Sequence, residues 1–327
     1  MTPAVPRPRT LIAVAAVVAV AACYPAVFPT KLNLGVAIVL FAATATAWDV
    51  LGGWGGQLSL GHAALMGVGG YTMALLALRA GVAPWWGLLA GMLLAALVAA
   101  VWGWVVFRLR GPYFVLSTIA VAEILRLVAI NWTSFTGGAE GLFIKSLPRP
   151  LGLDLFDRAV EFYMGLGWLA LALLVAWWLS WSRFGYYLQA IREDQDSAMA
   201  MGINPTRVKV AAFMLSAALT AAGGALFAVY VSFFEPHIIF DIGMSVELAL
   251  MAYIGGAGTV FGPAIGAAVL LVAGDLFRNY FQQANLLIYG VLIILIVRFA
   301  PEGIVGGWRL LARRWPGGRR ALPQPAE

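Results

Sequence analysis

Cysteine, histidine and charge are all scarce in this 327-residue chain. Cys23 is the single cysteine, which excludes an internal disulfide and a cysteine-based metal site. His62 and His237 are its two histidines, and their separation leaves little for zinc. Only 11% of the residues are charged, whereas a soluble domain carries about 25%. A soluble enzyme, a disordered regulator and a disulfide-stabilised secreted domain are therefore poor interpretations.

Catalytic and nucleotide-binding motifs are also missing. None of the three lysines, Lys31, Lys145 and Lys209, follows a glycine, so the Gly-Lys pair of a phosphate-binding loop is absent. The chain has no Gly-x-Ser-x-Gly turn and no His-Glu-x-x-His. His62 with Asp49 is the one visible candidate for the reactive cluster of a membrane-embedded enzyme. We therefore expect no catalytic residue, no metal and no cofactor bound by this chain.

Apolar sequence is what the chain has in abundance. Apolar residues make up 62% of it, in blocks that reach the roughly 20 helical residues needed to cross a membrane. This pattern predicts an all-α polytopic membrane protein with about 8–10 transmembrane helices. The block at 244–254 is too short alone and is expected to be a broken or half-crossing helix. The predicted spans are 11–28, 34–51, 62–78, 85–107, 113–131, 163–181, 208–232, 244–254, 264–280 and 285–299.

The positions of the 21 lysines and arginines predict the orientation of the chain. With the N-terminus inside and alternating spans, 14 of them fall in inside loops and six in outside loops, while Arg126 lies within a span. Cytoplasmic loops collect Lys and Arg, so both termini are expected in the cytoplasm. The same placement explains the net charge of +6 without a nucleic-acid partner. The expected parts are an N-terminal tail with the first helix (1–33), a transmembrane domain (34–308) with an outside loop at 132–162, and a basic tail (309–327).

The inside loop at 182–207 predicts short helices. Its stretch 186–201 has no glycine or proline and is rich in helix-forming residues. Gly202 is expected to end the helix, and Asn204-Pro205 prevents its continuation. Such helices suit docking on a partner protein, and a solvated connector fits the same pattern equally well. The apolar face would consist of Leu188, Ile191, Ala198 and Met201.

Charged side chains inside spans are costly and are therefore candidates for function. Glu123 and Arg126 are three residues apart on one helix face and are expected to neutralise each other. Asp275 and Arg278 repeat this spacing. Asp49 and Glu247 are the carboxylates that a proton or sodium relay could use, which keeps open an ion-coupled secondary transporter of small polar solutes. The full set is Asp49, Gln57, His62, Glu123, Arg126, Glu247 and Asp275.

Two glycine-rich turns resemble each other. Gly-Gly-Trp-Gly-Gly at 52–56 and Gly-Gly-Ala-Gly-Thr at 255–259 both turn the chain back into the membrane from the inside. Each precedes an apolar span that contains glycine. This agrees with parallel internal repeats, as in some transporter folds, although glycine turns are also common in membrane bundles that have no repeat.

Six segments, in order, resemble the permeases of branched-chain amino acid ABC transporters, and the resemblance runs from about 34 to 308. The segment Thr-Gly-Gly-Ala-Glu-Gly-Leu at 136–142 points to the LivM-type permease rather than to its LivH-type partner. The segments are Gly-Gln-Leu-Ser-Leu-Gly-His-Ala (56–63), Gly-Pro-Tyr-Phe to Ala-Glu-Ile-Leu-Arg (111–126), 136–142, Arg-Phe-Gly to Gly-Ile-Asn (183–204), Gly-Gly-Ala-Gly-Thr-Val-Phe-Gly-Pro (255–263) and Pro-Glu-Gly-Ile (301–304).

The resemblance implies that 193–204 is the coupling segment of an ABC permease. The pattern in that family is Glu-Ala-Ala-x-x-x-Gly, and here it is Asp196-Ser197-Ala198 followed by Gly202. The acidic side chain is shorter and the first alanine is replaced by serine. The residues implied to contact an ATPase are Arg192, Glu193, Asp194, Asp196, Ser197, Ala198 and Gly202.

The resemblance further implies that the chain forms one half of the pore of an importer in the bacterial inner membrane. A LivH-like permease would form the other half, or else a second copy of this chain. Two cytoplasmic ATPase subunits would use the ATP, and a periplasmic binding protein would deliver leucine, isoleucine, valine or a related amino acid, amide or urea. The residues implied to line the pathway or a gate are Gln57, Ser59, His62, Glu123 and Arg126.

Overall fold

Apolar runs that begin or end at proline and glycine form the helices of this protein. The computed structural model describes residues 8–109, 111–144, 147–148, 154–280 and 303–307. The predicted span at 285–299 and the whole basic tail (309–327) lie outside them. The helices are α1 Pro8–Ala22, α2 Tyr24–Val27, α3 Leu32–Asp49, α4 His62–Ala80, α5 Pro84–Val106, α6 Pro112–Asn131, α7 Thr133–Thr136, α8 Arg158–Leu179, α9 Arg183–Glu193, α10 Gln195–Ala200, α11 Pro205–Val231, α12 Pro236–Ile239, α13 Ile242–Gly255 and α14 Gly262–Tyr280.

Within the described residues, eight segments are long and apolar enough to cross a membrane. The prediction of an all-α polytopic membrane protein is thereby confirmed. The expected broken helix is also present, because α12 and α13 are separate helices that together form one span, Pro236–Gly255. The other spans are Thr10–Val27, Pro29–Trp54, His62–Ala80, Pro84–Val106, Pro112–Asn131, Arg158–Leu179 and Pro205–Val231.

Helices α3 and α11 form the buried centre of the bundle. Helix α11 packs on α4 and α5, and α3 packs on α8 and α14. Small residues permit the closest approaches: a Cβ atom added to Gly69 would overlap the backbone of Ala221, and one added to Gly224 would overlap the backbone of Met66. Helices α4 and α11 therefore meet backbone to backbone, as glycine-bearing helices do in membranes.

The two ends of the bundle have different structures. Helices α9 and α10 lie at one end, where α8 stops and α11 begins. At the opposite end, β1 (Leu142–Phe143) pairs antiparallel with β2 (Phe233–Phe234), and the Arg79 guanidinium donates to the carbonyl oxygens of Ser134 and Phe135, both at 2.8 Å. The predicted outside loop at 132–162 is shorter than expected, because the Asp157 side chain caps α8 and starts it at Arg158.

Asp275 has a partner far along the chain. The Asp275 carboxylate pairs with the Lys31 ammonium at 2.8 Å, across the gap between the start of α3 and the end of α14. Arg278, which follows Asp275 by three residues, has a side chain that lies outside the part of the chain that the structure describes. A partner on another helix cannot be recognised from spacing along one helix, because only neighbours within a few residues share a helix face.

Helices α5 and α6 leave wide apolar faces uncovered. Trp86 is 67% exposed, Val101 71% and Leu116 62%. Apolar faces of this extent in a single chain belong against lipid or against another subunit. The apolar side chains involved are Trp86, Leu89, Leu93, Leu97, Val101 and Val105 on α5, and Tyr113, Leu116, Ile124 and Val128 on α6.

Candidate functional site

The first glycine turn (52–56) and the second glycine turn (255–259) lie against each other. The backbone N–H of Gly258 donates to both carboxylate oxygens of Asp49, at 2.9 and 3.1 Å. A Cβ atom on Gly53 would overlap both the Asp49 carboxylate and the backbone nitrogen of Gly258. The end of α3 and the end of α13 therefore meet at one point, which only glycine can occupy.

Two more of the segments that carry the resemblance, 183–204 and 301–304, reach the same point. Arg192, at the end of α9, donates from Nη1 to the carbonyl oxygen of Gly53 at 2.7 Å. Gly303 lies against Gly256, since a Cβ there would overlap the Gly256 backbone. The resemblance motifs at 56–63, 183–204, 255–263 and 301–304 are thus brought together in space, although they are spread along most of the chain.

Two short helices separated by one residue form the segment 182–207. The carboxylate of Asp194 accepts from the Ser197 backbone N–H at 2.5 Å and so caps the N-terminus of α10. Hydrogen bonds from the Ser197 hydroxyl, then from its N–H and that of Asp196, hold the pKa of Asp194 below its ordinary value. Gly202, with φ +85°, ends α10 as predicted, and Asn204 caps α11 by accepting from the Arg207 N–H at 3.1 Å.

Helix α10 is anchored on its inner side and exposed on its outer side. The Lys209 ammonium, buried at 4% exposure, donates to the Gln195 amide oxygen at 2.7 Å and ties α10 to α11. Ala198 is fully buried, whereas Met199 is 41% exposed. Of the implied ATPase contacts, Ala198 therefore faces the bundle, and Arg192, Glu193, Asp194, Asp196 and Ser197 are exposed.

The predicted apolar face of this segment is right at three positions and wrong at one. Leu188, Ile191 and Ala198 are buried. Met201 is 68% exposed, because it follows the last residue of α10, where the chain turns toward Gly202 and the helical period no longer applies. Leu188 packs beside Gly55, so α9 rests on the first glycine turn.

His62 joins three helices through a buried network of hydroxyl groups. Its Nε2 lies 2.9 Å from the Ser216 Oγ, and its Nδ1 lies 3.0 Å from the Ser59 Oγ. The Ser216 hydroxyl donates to the Ala47 carbonyl at 2.6 Å, so it must accept from Nε2–H, and Nδ1 accepts from Ser59. His62 and Ser59 are fully buried. Gln57 is half-buried and donates to the Gly55 carbonyl at 3.3 Å.

Glu123 and Arg126 form the predicted ion pair. The guanidinium binds the carboxylate through two hydrogen bonds of 2.8 and 2.5 Å, and its Nη1 lies 3.2 Å from Nδ1 of His237. Sequence reasoning missed His237 and Asp241, which lie near the break between α12 and α13 and border the same cavity. That cavity of about 410 Å³ is lined by Ile119, Ala122, Glu123, Arg126, His237, Phe240, Asp241 and Ile242.

The structure separates the residues of the two alternative interpretations. Asp49 is bound to Gly258, and His62 is bound to Ser59 and Ser216, so the two do not form a reactive pair. Asp49 is also not an unpaired relay carboxylate, contrary to the expectation from its position. Glu247 is half-buried in α13. Among the residues that the structure describes, no group of three metal-binding side chains is found.

Comparison with known proteins gives one family over most of the chain. Residues 30–297 match the model of the family described as branched-chain amino acid transport system, permease component. The chain is 31% identical over 282 residues to the high-affinity branched-chain amino acid transport system permease protein LivM of Salmonella typhimurium and to that of Escherichia coli. Each alignment covers 79% of this chain and 65% of the relative, so the chain spans just under two thirds of the length of these LivM proteins.

A second permease protein is also similar. LivH of Salmonella typhimurium is 26% identical over 286 residues, covering 81% of this chain and 91% of LivH. No solved structure matches the chain. The family model and the LivM proteins both cover well over half of the chain. Five of the six segments that carry the resemblance to LivM-type permeases lie inside residues 30–297, and the sixth, 301–304, follows shortly after them. This chain belongs to the family of permease components of branched-chain amino acid transport systems.

Proposed function

We propose that this protein is a LivM-like permease subunit of an ATP-driven importer, and that it forms one half of a pathway for branched-chain amino acids or related small amino acids and amides. The observation that carries the proposal is the family match over residues 30–297. The relatives named LivM and LivH are both described as permease proteins of such systems. ATP would be used by partner subunits, and the reaction needs no catalytic side chain in this chain.

The proposed partners follow from the surfaces that the chain leaves uncovered. A LivH-like permease would cover part of the apolar faces of α5 and α6, and lipid would cover the rest. A periplasmic binding protein would deliver substrate to the end of the bundle that holds β1 and β2. Cytoplasmic ATPase subunits would bind at the other end, where α9 and α10 lie.

Helix α10 is well suited to receive an ATPase subunit. It is fixed to the bundle by the buried Ala198 and by the bond between Lys209 and Gln195. Its outer surface presents Met199 together with the acidic group of Asp196. An exposed apolar side chain among polar groups is the usual composition of a protein interface.

The same arrangement supports the proposed orientation. Residues expected outside, such as Lys31, Arg79 and Arg158, gather at the end that holds β1 and β2. Among the described residues, five lysines and arginines lie at the α9–α10 end, namely Arg108, Arg183, Arg192, Arg207 and Lys209. The excess of lysine and arginine there favours a cytoplasmic location for that end in a bacterial inner membrane, with both termini on the same side.

The polar residues of the spans fall into two groups for the pathway assignment. Glu123 and Arg126 border an open cavity and are retained in our proposal as pathway residues. Ser59 and His62 are fully buried with satisfied hydrogen bonds, which supports a role in holding helices together instead of lining the pathway. Gln57 directly follows the first glycine turn (52–56), close to the α9–α10 end.

Uptake by the whole complex tests the proposal. The protein would be purified from its native membrane with its associated subunits, reconstituted in proteoliposomes, and supplied with labelled leucine, isoleucine or valine and the binding protein. We expect uptake that requires ATP on the side of the ATPase subunits. Uptake driven by a proton or sodium gradient without ATP, and lost in Glu247→Gln, would instead establish the ion-coupled alternative.

A further inference from the structure

Arg192 touches both glycine turns at once. Its Nη1 donates to the Gly53 carbonyl at 2.7 Å. Its Cβ and Cγ lie on Gly56, where φ is +64°, and its Nη1 lies beside Gly258, where φ is +76°. The side chain therefore extends from the end of α9 into the place where α3 and α13 meet, in contact with three glycines.

A buried carboxylate lies at the same joint. Asp49 is 1% exposed and accepts a hydrogen bond from the Gly258 N–H. The Arg192 Nη1 lies beside Gly258. Burying an ionised carboxylate is unfavourable unless hydrogen bonds and opposite charge offset the loss of water. The position of the guanidinium thus affects how favourably α3 and α13 hold together through Asp49 and Gly258.

The backbone on both sides of the joint is irregular. Helix α3 continues into a π-helical stretch, Val50–Trp54, and π-helical turns are rare and are frequently found at functional sites. Gly256 ends α13 with φ +122°, and Gly258 follows with φ +76°. Segments of this kind can change their backbone angles while the helices they join stay rigid.

Helix α10 is connected to Arg192 by very few residues, so a displacement of α10 would also displace Arg192. Asp194 is the single residue between α9 and α10, and it caps α10. Leu188, one turn before Arg192, is fully buried beside Gly55. Movement of the α9–α10 pair therefore has to move the Arg192 side chain against the two glycine turns.

We propose that Arg192 is the positioning residue that transmits movement of the segment 182–207 to α3 and α13, by its simultaneous contact with the first and second glycine turns. The inference rests on the proposed function, because it takes the movement to come from ATPase subunits bound at α10. Arg192 is assigned here to transmission within the permease, in addition to any contact with an ATPase.

The test measures docking and coupling separately in the complete complex. Arg192→Ala, Arg192→Gln and Arg192→Lys would be compared with Arg183→Ala, a matched control on the same helix for which the structure gives no contact with the glycine turns. Three quantities are measured for each variant: the ratio of ATPase subunits to permease after purification, the stimulation of ATP hydrolysis by loaded binding protein, and labelled leucine taken up per ATP hydrolysed.

We expect Arg192→Ala to keep the full complement of ATPase subunits while leucine uptake per ATP falls about tenfold, the order of the loss of one charge-assisted hydrogen bond. Arg192→Lys should restore much of the ratio, because an ammonium can donate to Gly53 and keeps the charge near Asp49. Arg192→Gln should fall between the two, since it can donate without charge. Arg183→Ala should keep the wild-type ratio.

The outcomes separate this inference from the proposed function. If wild-type protein carries no ATPase subunits and transports without ATP, the proposed function fails. If the subunits remain bound and all three Arg192 variants keep the wild-type ratio of uptake to ATP, only the transmission role fails. Loss of ATPase subunits from Arg192→Ala with an unchanged ratio in the remaining complexes would also overturn it, because Arg192 would then act in docking. If Arg192→Ala does not fold, the Lys and Gln variants decide the question in the same assay.

Discussion

The imidazole of His62 lies 2.9 Å from the hydroxyl oxygen of Ser216, a residue 154 positions later in the chain. The Ser216 hydroxyl in turn donates a hydrogen bond to the Ala47 carbonyl, so a single hydroxyl joins α3, α4 and α11. No water is available in this interior to replace a lost hydrogen-bond partner. The loss of any of these bonds therefore costs more free energy than the loss of the same bond in water. The arrangement makes His62 a structural residue at the start of α4.

Ser216→Ala should lower the thermal stability of the protein in detergent. The change leaves His62 Nε2–H without its partner and removes one of the two hydrogen bonds to the Ala47 carbonyl, at a cost of about 1–3 kcal/mol, which corresponds to a fall in Tm of several degrees. Ser117→Ala is the matched control, because the Ser117 hydroxyl bonds only to Phe114 in its own helix. Equal Tm values for the two variants would refute a special role of the network.

The close approach of α4 and α11 predicts a strong difference between two glycines. A Cβ atom at Gly224 would overlap the Met66 backbone, whereas one at Gly167, on the exposed side of α8, would meet nothing within 4 Å. Gly224→Ala should therefore destabilise the bundle markedly through overpacking. Gly167→Ala should be neutral or stabilising by up to about 1 kcal/mol from helix propensity. Parallel melting curves of both variants check this, and similar losses in both would contradict it.

Most of the fold could be predicted from the sequence, because a chain with long apolar runs has few alternatives to forming helices in a membrane. Predicted and observed spans agree within about five residues, except that the block at 244–254 lacks the first eight residues of the span Pro236–Gly255 and that 285–299 lies outside the described residues. The break before α13 was anticipated from the short block at 244–254. The start of α8 was missed by five residues, since its cap, Asp157, is a polar residue outside the apolar run.

The site was predicted as separate motifs and not as one arrangement. Arg192 and Gly53 are 139 positions apart, and nothing in the local period of either segment indicates that they touch. The same applies to Asp275, which pairs with Lys31, and to Asp49, which binds the second glycine turn. Spacing shows which residues share a helix face, and tertiary packing alone decides which faces meet.

Met199→Arg should separate the permease from its ATPase subunits. Met199 is 41% exposed at the centre of the outer face of α10, so an arginine would disturb an interface without disturbing the bundle. Met199→Leu is the control and should retain the subunits, because it keeps an apolar side chain of similar volume. Co-purification measures the result, and retention of ATPase subunits by the arginine variant would refute docking on this face.

Ala198 is unsuitable for this test, because it is fully buried and a larger residue there would distort the segment itself.

Replacing both members of the Glu123–Arg126 pair should impair uptake without unfolding the protein. Both side chains are partly exposed, at 47% and 24%, and exposed pairs of this spacing add little stability. We expect the double variant Glu123→Gln with Arg126→Gln to melt within about 3 °C of wild type and to lose most of its leucine uptake in proteoliposomes. Full uptake by the double variant would assign the pair to structure alone.

The cap of α10 predicts a dependence on pH that is confined to the segment 182–207. Hydrogen bonds from Ser197, and then from Asp196, lower the pKa of the Asp194 carboxyl in the folded protein. A lowered pKa means that the ionised cap stabilises α10 fully above the ordinary titration range of aspartate, and that this contribution is lost as the pH falls through the lowered value. Amide exchange over 195–201, corrected for the intrinsic effect of pH, should therefore accelerate in acid.

The control variant is Asp194→Asn, because asparagine caps helices without titrating. In that variant the corrected exchange should become independent of pH while α10 stays formed. An unchanged acid response in Asp194→Asn would show that a group other than Asp194 controls the stability of α10.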